Sequence, residues 1–200
     1  MTDLQASRIA VPKFDPDLLA RGHAVHYRCM APGVERLRID LRTRLRDLPD
    51  FGTLWERRTT ITDEDGRKFH LLSVPDLVQA KKTQREKDWV AIDALVEGHY
   101  HALHAEPTPD RIGFWLRESR TPERLVDLAD RFPSQTENLQ RIRPLLRRAI
   151  AQDLPALRAE LDAEARAEQD RDRAYWAPLK RELEAFRHAE HARRSSAEYD

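Results

Sequence analysis

The stretch LLSVPDLVQAKKTQREKDWVAIDALVEGH, residues 71–99, decides the fold of this chain of 200 residues. Within it, a pattern typical of strands gives way to one typical of helices. Ser73 is an N-cap candidate, and Pro75 and Asp76 follow in the first turn, where a missing N–H and a negative charge are both favourable. A second helix is predicted from about residue 86 to 104, because apolar residues recur there at helical spacing. That apolar stripe consists of Trp89, Ile92, Leu95, Val96 and Tyr100.

N-terminal to this stretch, two predicted hairpins make up a small sheet domain. Residues 23–29 (HAVHYRC) and 34–41 (VERLRIDL) alternate apolar with polar side chains, as half-buried strands do, and an Ala-Pro-Gly turn joins them. Residues 57–62 and 68–72 are rich in β-branched or apolar side chains, and the Asp-Glu-Asp-Gly segment at 63–66 suits the turn between them. The sequence therefore predicts a small mixed or antiparallel sheet.

C-terminal to the opening stretch, the chain is predicted to be helical. Thr108 opens one helix and Thr121 opens another, each followed directly by a proline. A further helix is expected over residues 136–152, after a break at Pro133. From residue 153 onward Ala, Glu, Arg and Leu dominate, which is typical of an exposed charged helix.

The charged C-terminal arm has two features that bear on its packing. Its apolar stripe is thin and consists of Leu157, Leu161, Ala165 and Glu168, so the helix needs packing against other elements to be stable. Pro178 is expected to kink or break the helix. The adjacent aromatic residues Tyr175 and Trp176 are expected to dock on a partner or on the body of the protein.

We therefore predict an α+β fold built from three parts. A partial sheet domain covers residues 1–73, a helical cap covers 74–133, and a charged helical extension covers 134–200. The length suffices for one domain with a substantial core and an appendage.

The overall composition excludes a general attraction to anionic partners. Lys+Arg and Asp+Glu number 35 each, so any binding of phosphate must come from a local cluster of charge. Cys29 is the only cysteine, which excludes an intrachain disulfide and predicts a buried thiol in a reducing compartment. No apolar run approaches the length of a membrane helix, and the first residues have no signal-peptide pattern, so a cytoplasmic location is expected.

Cations are concentrated in one segment of the opening stretch. Lys81, Lys82, Arg85 and Lys87 fall where the first helix ends and the second begins, and Asp88 follows directly. Cations this close repel one another unless they are solvated or share an anion, and a triphosphate is such an anion. The alternative is a solvated basic turn at the negative end of a helix.

This segment carries a resemblance to a known family. A strand ending in Leu-Leu-Ser, a short helix with Pro-Asp-Leu-Val, the run Lys-Thr-Gln-Arg-Glu-Lys-Asp and an amphipathic helix together resemble the nucleotidyltransferase-like family. That family includes the AbiEii-type abortive-infection toxins and many uncharacterised bacterial proteins. Residues 38–41 (RIDL) are similar to its strand with the third catalytic aspartate, and residues 51–59 fit the connection that follows. The resemblance covers roughly residues 23–100 and implies a sheet of nucleotidyltransferase type.

The resemblance also implies an activity. A nucleoside monophosphate would be transferred from a triphosphate to an RNA or protein hydroxyl with the help of Mg²⁺. Asp40 would be the catalytic base or a ligand of the metal. Either Lys81 or Lys82 would be the helix lysine at the triphosphate, because the spacing to Asp88 is one residue short of the common pattern. The implied nucleotide-binding residues are Lys81, Lys82, Arg85, Lys87 and Asp88.

The chain departs from the family at its first catalytic motif. The family has a Gly-Ser turn and an Asp-x-Asp pair that binds the metal, and this chain contains no Gly-Ser dipeptide. Asp15 and Asp17 form an Asp-x-Asp pair that could replace the missing metal ligands, but the proline between them favours the alternative, a helix N-cap. Asp63 and Asp65 form another and are predicted to shape a hairpin turn. The catalytic site is therefore degenerate, or its first half precedes Met1 in a longer reading frame.

Two rival functions stay open on the sequence alone. One is a non-catalytic interaction protein, a degenerate nucleotidyltransferase used as a scaffold, that forms a homo-oligomer through its C-terminal helix. The other is an RNA-binding module that uses the Lys81–Lys87 segment, which the neutral overall charge disfavours. Glu97, His101 and His104 lie on one helix face and could ligate a transition metal. The alternative, surface histidines on a charged helix without a metal, is the commoner arrangement in proteins.

Overall fold

The computed structural model describes residues 4–9 and 12–197 of the chain. In this part the protein has an α+β fold with small antiparallel sheets, which confirms the predicted class. The nucleotidyltransferase type of the sheet stays a prediction. Two compact units divide the chain: residues 1–53 with 174–200, and residues 54–173. The predicted divisions after residues 73 and 133 both fall inside the second unit.

The first unit is a small antiparallel sheet with a short helix. Its described elements before residue 50 are β1 (Ser7–Arg8), α1 (Pro16–Ala20), β2 (Val25–Arg28) and β3 (Arg38–Leu41). The strand order is β1-β2-β3, and β2 pairs with β3 as the predicted hairpin. Asp15 caps α1, since its Oδ1 accepts a hydrogen bond from the Asp17 amide at 2.8 Å. Cys29 is fully buried, as predicted.

The second unit combines a two-stranded hairpin with several helices. The elements that lie wholly within it are β4 (Thr59–Thr62), β5 (Lys68–Leu71), α3 (Val74–Lys81), α4 (Glu86–Leu103), α5 (Pro109–Glu118), α6 (Pro122–Arg131), α7 (Pro133–Leu139) and α8 (Leu146–Ile150). A short helix, α2 (Phe51–Glu56), spans the division between the units. The turn between β4 and β5 is shaped by Asp63, whose Oδ1 accepts hydrogen bonds from the amides of Asp65 and Arg67 at 3.0 and 2.8 Å.

Capping residues begin the helices of the second unit where the sequence predicts them. Ser73 Oγ accepts a hydrogen bond from the Asp76 amide at 3.3 Å, and Thr108 Oγ1 accepts one from the Arg111 amide at the same distance. The apolar faces of these helices then meet in one core, in which the predicted stripe of α4 takes part. The fully buried members of this core with the largest side chains are Trp115, Ile92, Leu116, Leu125, Leu128, Leu146 and Leu157.

The last helix, α9 (Leu154–Ala197), contributes residues to both units. Leu157 and Leu161, at 0% and 3% exposure, belong to the core of the second unit, so the two leucines of the predicted apolar stripe are buried within the chain. In the first unit, Glu182 pairs with Arg21 at 2.8 Å and lies 2.7 Å from the buried His23. Trp176 packs beneath the guanidinium of Arg42, also within the first unit.

The helix breaks differ from the sequence expectation at two places, while a kink at Pro178 stays a prediction. The sequence predicts a single helix over residues 136–152, but the structure has α7 and α8 instead, because Pro144 between them cannot donate a helical hydrogen bond. Pro133 begins α7, at the first turn where proline is tolerated. Pro178 does not break α9, which continues through it. No helix in the described ranges is long and apolar enough to cross a lipid bilayer.

Candidate functional site

Asp40 lies on β3 in the first unit, where two basic side chains contact it. His26 Nδ1 is 2.6 Å from Asp40 Oδ1, and Arg38 Nε donates to the same oxygen at 2.7 Å. Burial raises the pKa of Asp40, but the hydrogen bonds and charges of Arg38 and His26 outweigh it, so the net pKa lies below the ordinary value. Asp40 is therefore an ionised, partly exposed carboxylate with a cation already on one oxygen.

The surroundings of Asp40 do not fit the Mg²⁺ ion that the resemblance implies. Magnesium takes oxygen ligands in near-octahedral geometry. Asp40 Oδ1 accepts a hydrogen bond from the guanidinium of Arg38 and lies 2.6 Å from the imidazole of His26, and among the described residues Asp40 belongs to no group of three side chains that could hold a metal ion. A cation at this position disfavours a second cation on the same oxygen.

The basic segment lies in the second unit, where Asp88 joins three of its side chains. Asp88 is only 2% exposed. It accepts hydrogen bonds from Lys81 Nζ at 3.2 Å, Thr83 Oγ1 at 2.6 Å and Arg85 Nε at 2.7 Å. Lys81, Arg85 and Asp88, three of the predicted site residues, are thus brought together. The anion that the two cations share is a carboxylate of the chain itself.

Ionisation of Asp88 is favoured by these contacts. Burial raises its pKa, but the hydrogen bonds from Thr83 and Lys81 and the charges of Arg85 and Lys81 outweigh burial, so the pKa lies below the ordinary value. Breaking this arrangement would leave a buried charge without partners, which is strongly unfavourable. A bound triphosphate would have to compete with Asp88 for Lys81 and Arg85.

The two remaining lysines of the segment have different surroundings. Lys82 Nζ lies 2.8 Å from a carboxylate oxygen of Glu118, at the end of α5. Lys87 is exposed and has no hydrogen bond or ion pair with any residue that the structure describes. The backbone of the segment is fixed to α9, because the Gln84 amide donates to Asp172 Oδ2 at 3.0 Å.

The other acidic and histidine motifs are accounted for by local structure. The pairs Asp15/Asp17 and Asp63/Asp65 form an N-cap and a hairpin turn. His101 is an exposed partner of Glu97 at 3.8 Å, and His104 stacks on Tyr100. Among the residues described, no group of three or more His, Cys, Asp or Glu side chains could hold a metal ion.

Sequence reasoning missed an ion network in the second unit. Glu164 on α9 binds Arg120 at 2.7 Å and Arg143 at 2.8 Å. Arg143 is 4% exposed and also donates to the carbonyl oxygens of Leu116 and Ser119. A signal for this network was present in the sequence, because Glu164 lies on the same helix face as Leu157 and Leu161. A carboxylate on an apolar stripe indicates a buried cationic partner.

The β4–β5 hairpin is the second feature that sequence reasoning did not assign to function. All eight of its strand residues are exposed. The register pairs Ile61 with Phe69 and Thr59 with Leu71, so these four side chains lie on one face. Ile61, Phe69 and Leu71 are 50%, 50% and 46% exposed, which makes this face apolar and uncovered in the chain.

The site residues that the resemblance predicts therefore lie in two places. Asp40 belongs to the first unit, and the segment from Lys81 to Asp88 belongs to the second. Comparison with known proteins adds no identification: no protein-family model, no curated protein and no solved structure matches the chain. Kinship with the nucleotidyltransferase-like family stays a prediction made from the sequence pattern.

Proposed function

We propose that this protein is a non-catalytic interaction protein that assembles with a second copy of itself through the β4–β5 hairpin. The observation that carries the proposal is the exposed apolar face formed by Ile61, Phe69 and Leu71. The carboxylates that the resemblance assigns to catalysis and to nucleotide binding support it, because Asp40 and Asp88 respectively are engaged by cations of the same chain.

The energetics of a short hairpin favour a partner. An isolated pair of strands is at best marginally stable in water, and a third strand or a covered apolar face is needed. Fully burying a large apolar side chain contributes about 1.5–3 kcal/mol, so covering these half-exposed residues would contribute roughly half of that for each. The hairpin therefore gains stability when its apolar face is covered.

A second copy is the partner that fits the hairpin edge. In a two-stranded sheet each strand has an edge with unpaired backbone groups, which is a template for another strand. Edge pairing alone leaves the apolar faces uncovered, so the arrangement that fits is a two-fold axis that stacks this face on its own copy and covers Ile61, Phe69 and Leu71 of both chains. Assembly through α9 is less favoured, because its apolar side chains Leu157 and Leu161 are already buried.

The test is sedimentation velocity over a range of protein concentrations. The wild-type protein is expected to show a reversible dimer, and the double variant Ile61→Thr/Phe69→Thr is expected to be monomeric. Threonine keeps the strand propensity while removing the apolar surface. Lys68→Thr is the matched control, since Lys68 is exposed on the opposite face of the same hairpin. A wild-type protein that stays monomeric would refute the proposal.

Nucleotide transfer is the rival proposal, and the ionised, partly exposed Asp40 is the feature that favours it. The assay is transfer from a radiolabelled nucleoside triphosphate in the presence of Mg²⁺ to RNA or protein, with Asp40→Ala alongside. We expect no transfer in either sample. Transfer by the wild-type protein that disappears in Asp40→Ala would replace the interaction proposal with an enzymatic one.

A further inference from the structure

A cavity of about 200 Å³ lies within the second unit, between the segment after α3 and the helices α4, α5 and α9. Its apolar lining includes Trp89, with the fully buried Ile92 behind it. Its polar lining contains four cations, namely Lys82, Arg117, Arg120 and Arg171, and three carboxylates, namely Glu118, Glu164 and Glu168. The balance of these charges determines what the cavity can bind.

The carboxylates of the lining do not neutralise all the cations around them. Glu118 pairs with Lys82, and Glu168 pairs with Arg171. Glu164 is shared, because it binds both Arg120 of the lining and the buried Arg143 behind it. One carboxylate thus serves two guanidinium groups, which leaves a surplus positive charge at this point of the network.

Arg117 adds a second surplus charge. It lines the cavity from the last turn of α5 and makes no ion pair within the described ranges of the chain. Its guanidinium lies close to Gly113, where an added β-carbon would come within 3.0 Å of Nη1. The absence of a side chain at Gly113 therefore allows the guanidinium to take this position.

We propose that this cavity binds a small dianionic phosphate group, either as inorganic phosphate or as the phosphate of a small monoester. Arginine guanidinium groups bind phosphate oxygens in a planar, two-pronged geometry. A phosphate dianion concentrates its two charges in one group, which matches the surplus at Arg117 and at the shared Glu164. The apolar side chain of Trp89 contacts the carbon part of an ester.

The size of the cavity restricts the ligand further. Sites for drug-sized ligands measure about 300–1,000 Å³, which is more than the volume available here. A phosphate with a short carbon chain fits, whereas a nucleoside triphosphate does not. The site is therefore distinct from the nucleotide pocket that the sequence resemblance implies, although Lys82 belongs to both sets of residues.

The first test is isothermal titration calorimetry of the full chain with inorganic phosphate, glycerol 3-phosphate and succinate at matched ionic strength. We expect both phosphates to bind and succinate to bind much more weakly. Binding of glycerol 3-phosphate alone would identify an ester site, and equal binding of both phosphates a site for the phosphate group; either supports the proposal. Succinate binding as tight as phosphate, or no binding of any probe, would overturn it.

Two variants locate the site. Arg117→Ala is expected to weaken phosphate binding about tenfold or more, the loss typical of one charged hydrogen-bonding partner. Arg147→Ala is the matched control, because it removes an equal charge from an exposed position on α8 outside the cavity. Ala167→Leu, on the cavity wall, fills the space without changing charge and is expected to abolish binding.

Circular dichroism and thermal unfolding verify that each variant is folded. Arg117 and Ala167 are both exposed, so neither substitution is expected to disturb the core. Equal losses for Arg117→Ala and Arg147→Ala would show that binding follows total charge and would overturn the assignment. Unchanged binding in folded Ala167→Leu would place the anion outside the cavity, with the same consequence.

Discussion

Gly113 shows how a single missing side chain can position a charged group. It lies inside α5, where glycine costs about 0.5–1 kcal/mol relative to alanine. The atoms that a β-carbon at this position would meet first all belong to Arg117, a long side chain whose end can move. We therefore expect Gly113→Ala to raise the free energy of unfolding by up to about 1 kcal/mol in urea denaturation.

The matched control for this prediction is Gly98→Ala. Gly98 lies in α4 with nothing within 4 Å of its added β-carbon, so the same gain in stability is expected without any displacement. Gly113→Ala should in addition weaken phosphate binding, because it moves the Arg117 guanidinium, whereas Gly98→Ala should not. Destabilisation by Gly113→Ala would show that Arg117 is fixed in place more firmly than its exposure indicates.

Glu164 links stability to pH. Burial raises its pKa, but Arg143, Arg120 and Lys82 outweigh burial, so the pKa lies below the ordinary value of 4.5. When the pKa of a carboxyl group is lower in the folded state than in the unfolded state, its ionisation stabilises the fold. This contribution is complete at pH values above the unfolded-state pKa and is lost as the pH falls through the folded-state pKa. The free energy of unfolding is therefore expected to decrease as the pH is lowered below 4.5.

The variant that isolates this effect is Glu164→Gln. This substitution leaves Arg143 and Arg120 without their anion and is expected to lower the free energy of unfolding by about 2–3 kcal/mol near neutral pH. The loss is smaller than for a fully buried ion pair because the Glu164 side chain is 36% exposed. The loss should shrink in acid, where the wild-type carboxyl is protonated too. Glu160→Gln, at a more peripheral ion pair with Arg148, is the comparison. A loss that does not depend on pH would contradict the electrostatic explanation.

At the scale of elements, α9 is part of the core of the second unit. Leu157→Ala is expected to destabilise the protein by about 2–5 kcal/mol, because Leu157 is fully buried and its loss leaves a cavity. Leu154→Ala makes the same change one turn earlier in the helix, at a residue that is 36% exposed, and should cost far less. Chemical denaturation of the two variants measures the difference. Equal effects would mean that this part of α9 does not pack as described.

Most elements with local signals could be predicted from the sequence, whereas contacts between distant segments could not. Caps and helical spacing at Ser73 and Thr108 predict α3 and α5, because both signals lie within a few residues of the helix they define. The division of residues 136–152 escaped prediction although Pro144 signals it. The contact between Arg143 and Glu164 joins residues 21 positions apart, which no helical or strand period encodes. The partners of Asp88, by contrast, lie within seven residues of it.

At the scale of the whole molecule, balanced charge conceals local excess. The chain carries equal numbers of acidic and basic residues, yet the cavity lining of the second unit has more cations than carboxylates. The sequence pattern points to the cations at residues 81–87, where the local carboxylate of Asp88 pairs with two of them. The cavity cations come from α5, α9 and the segments that follow α3 and α5. Such a combination emerges only when the helices pack together.

The two units differ in the size of their apolar cores, and this predicts a difference in local stability. The main core cluster lies entirely between residues 78 and 161, in the second unit. The buried apolar residues described in the first unit are Leu18, Leu19, Val25, Cys29 and Ala31. Amides of α4 and α5 should therefore exchange with deuterium more slowly than those of β2 and β3, since protection follows the burial of apolar surface. Hydrogen-exchange mass spectrometry measures this directly, and equal protection would mean that both units open together in one cooperative step.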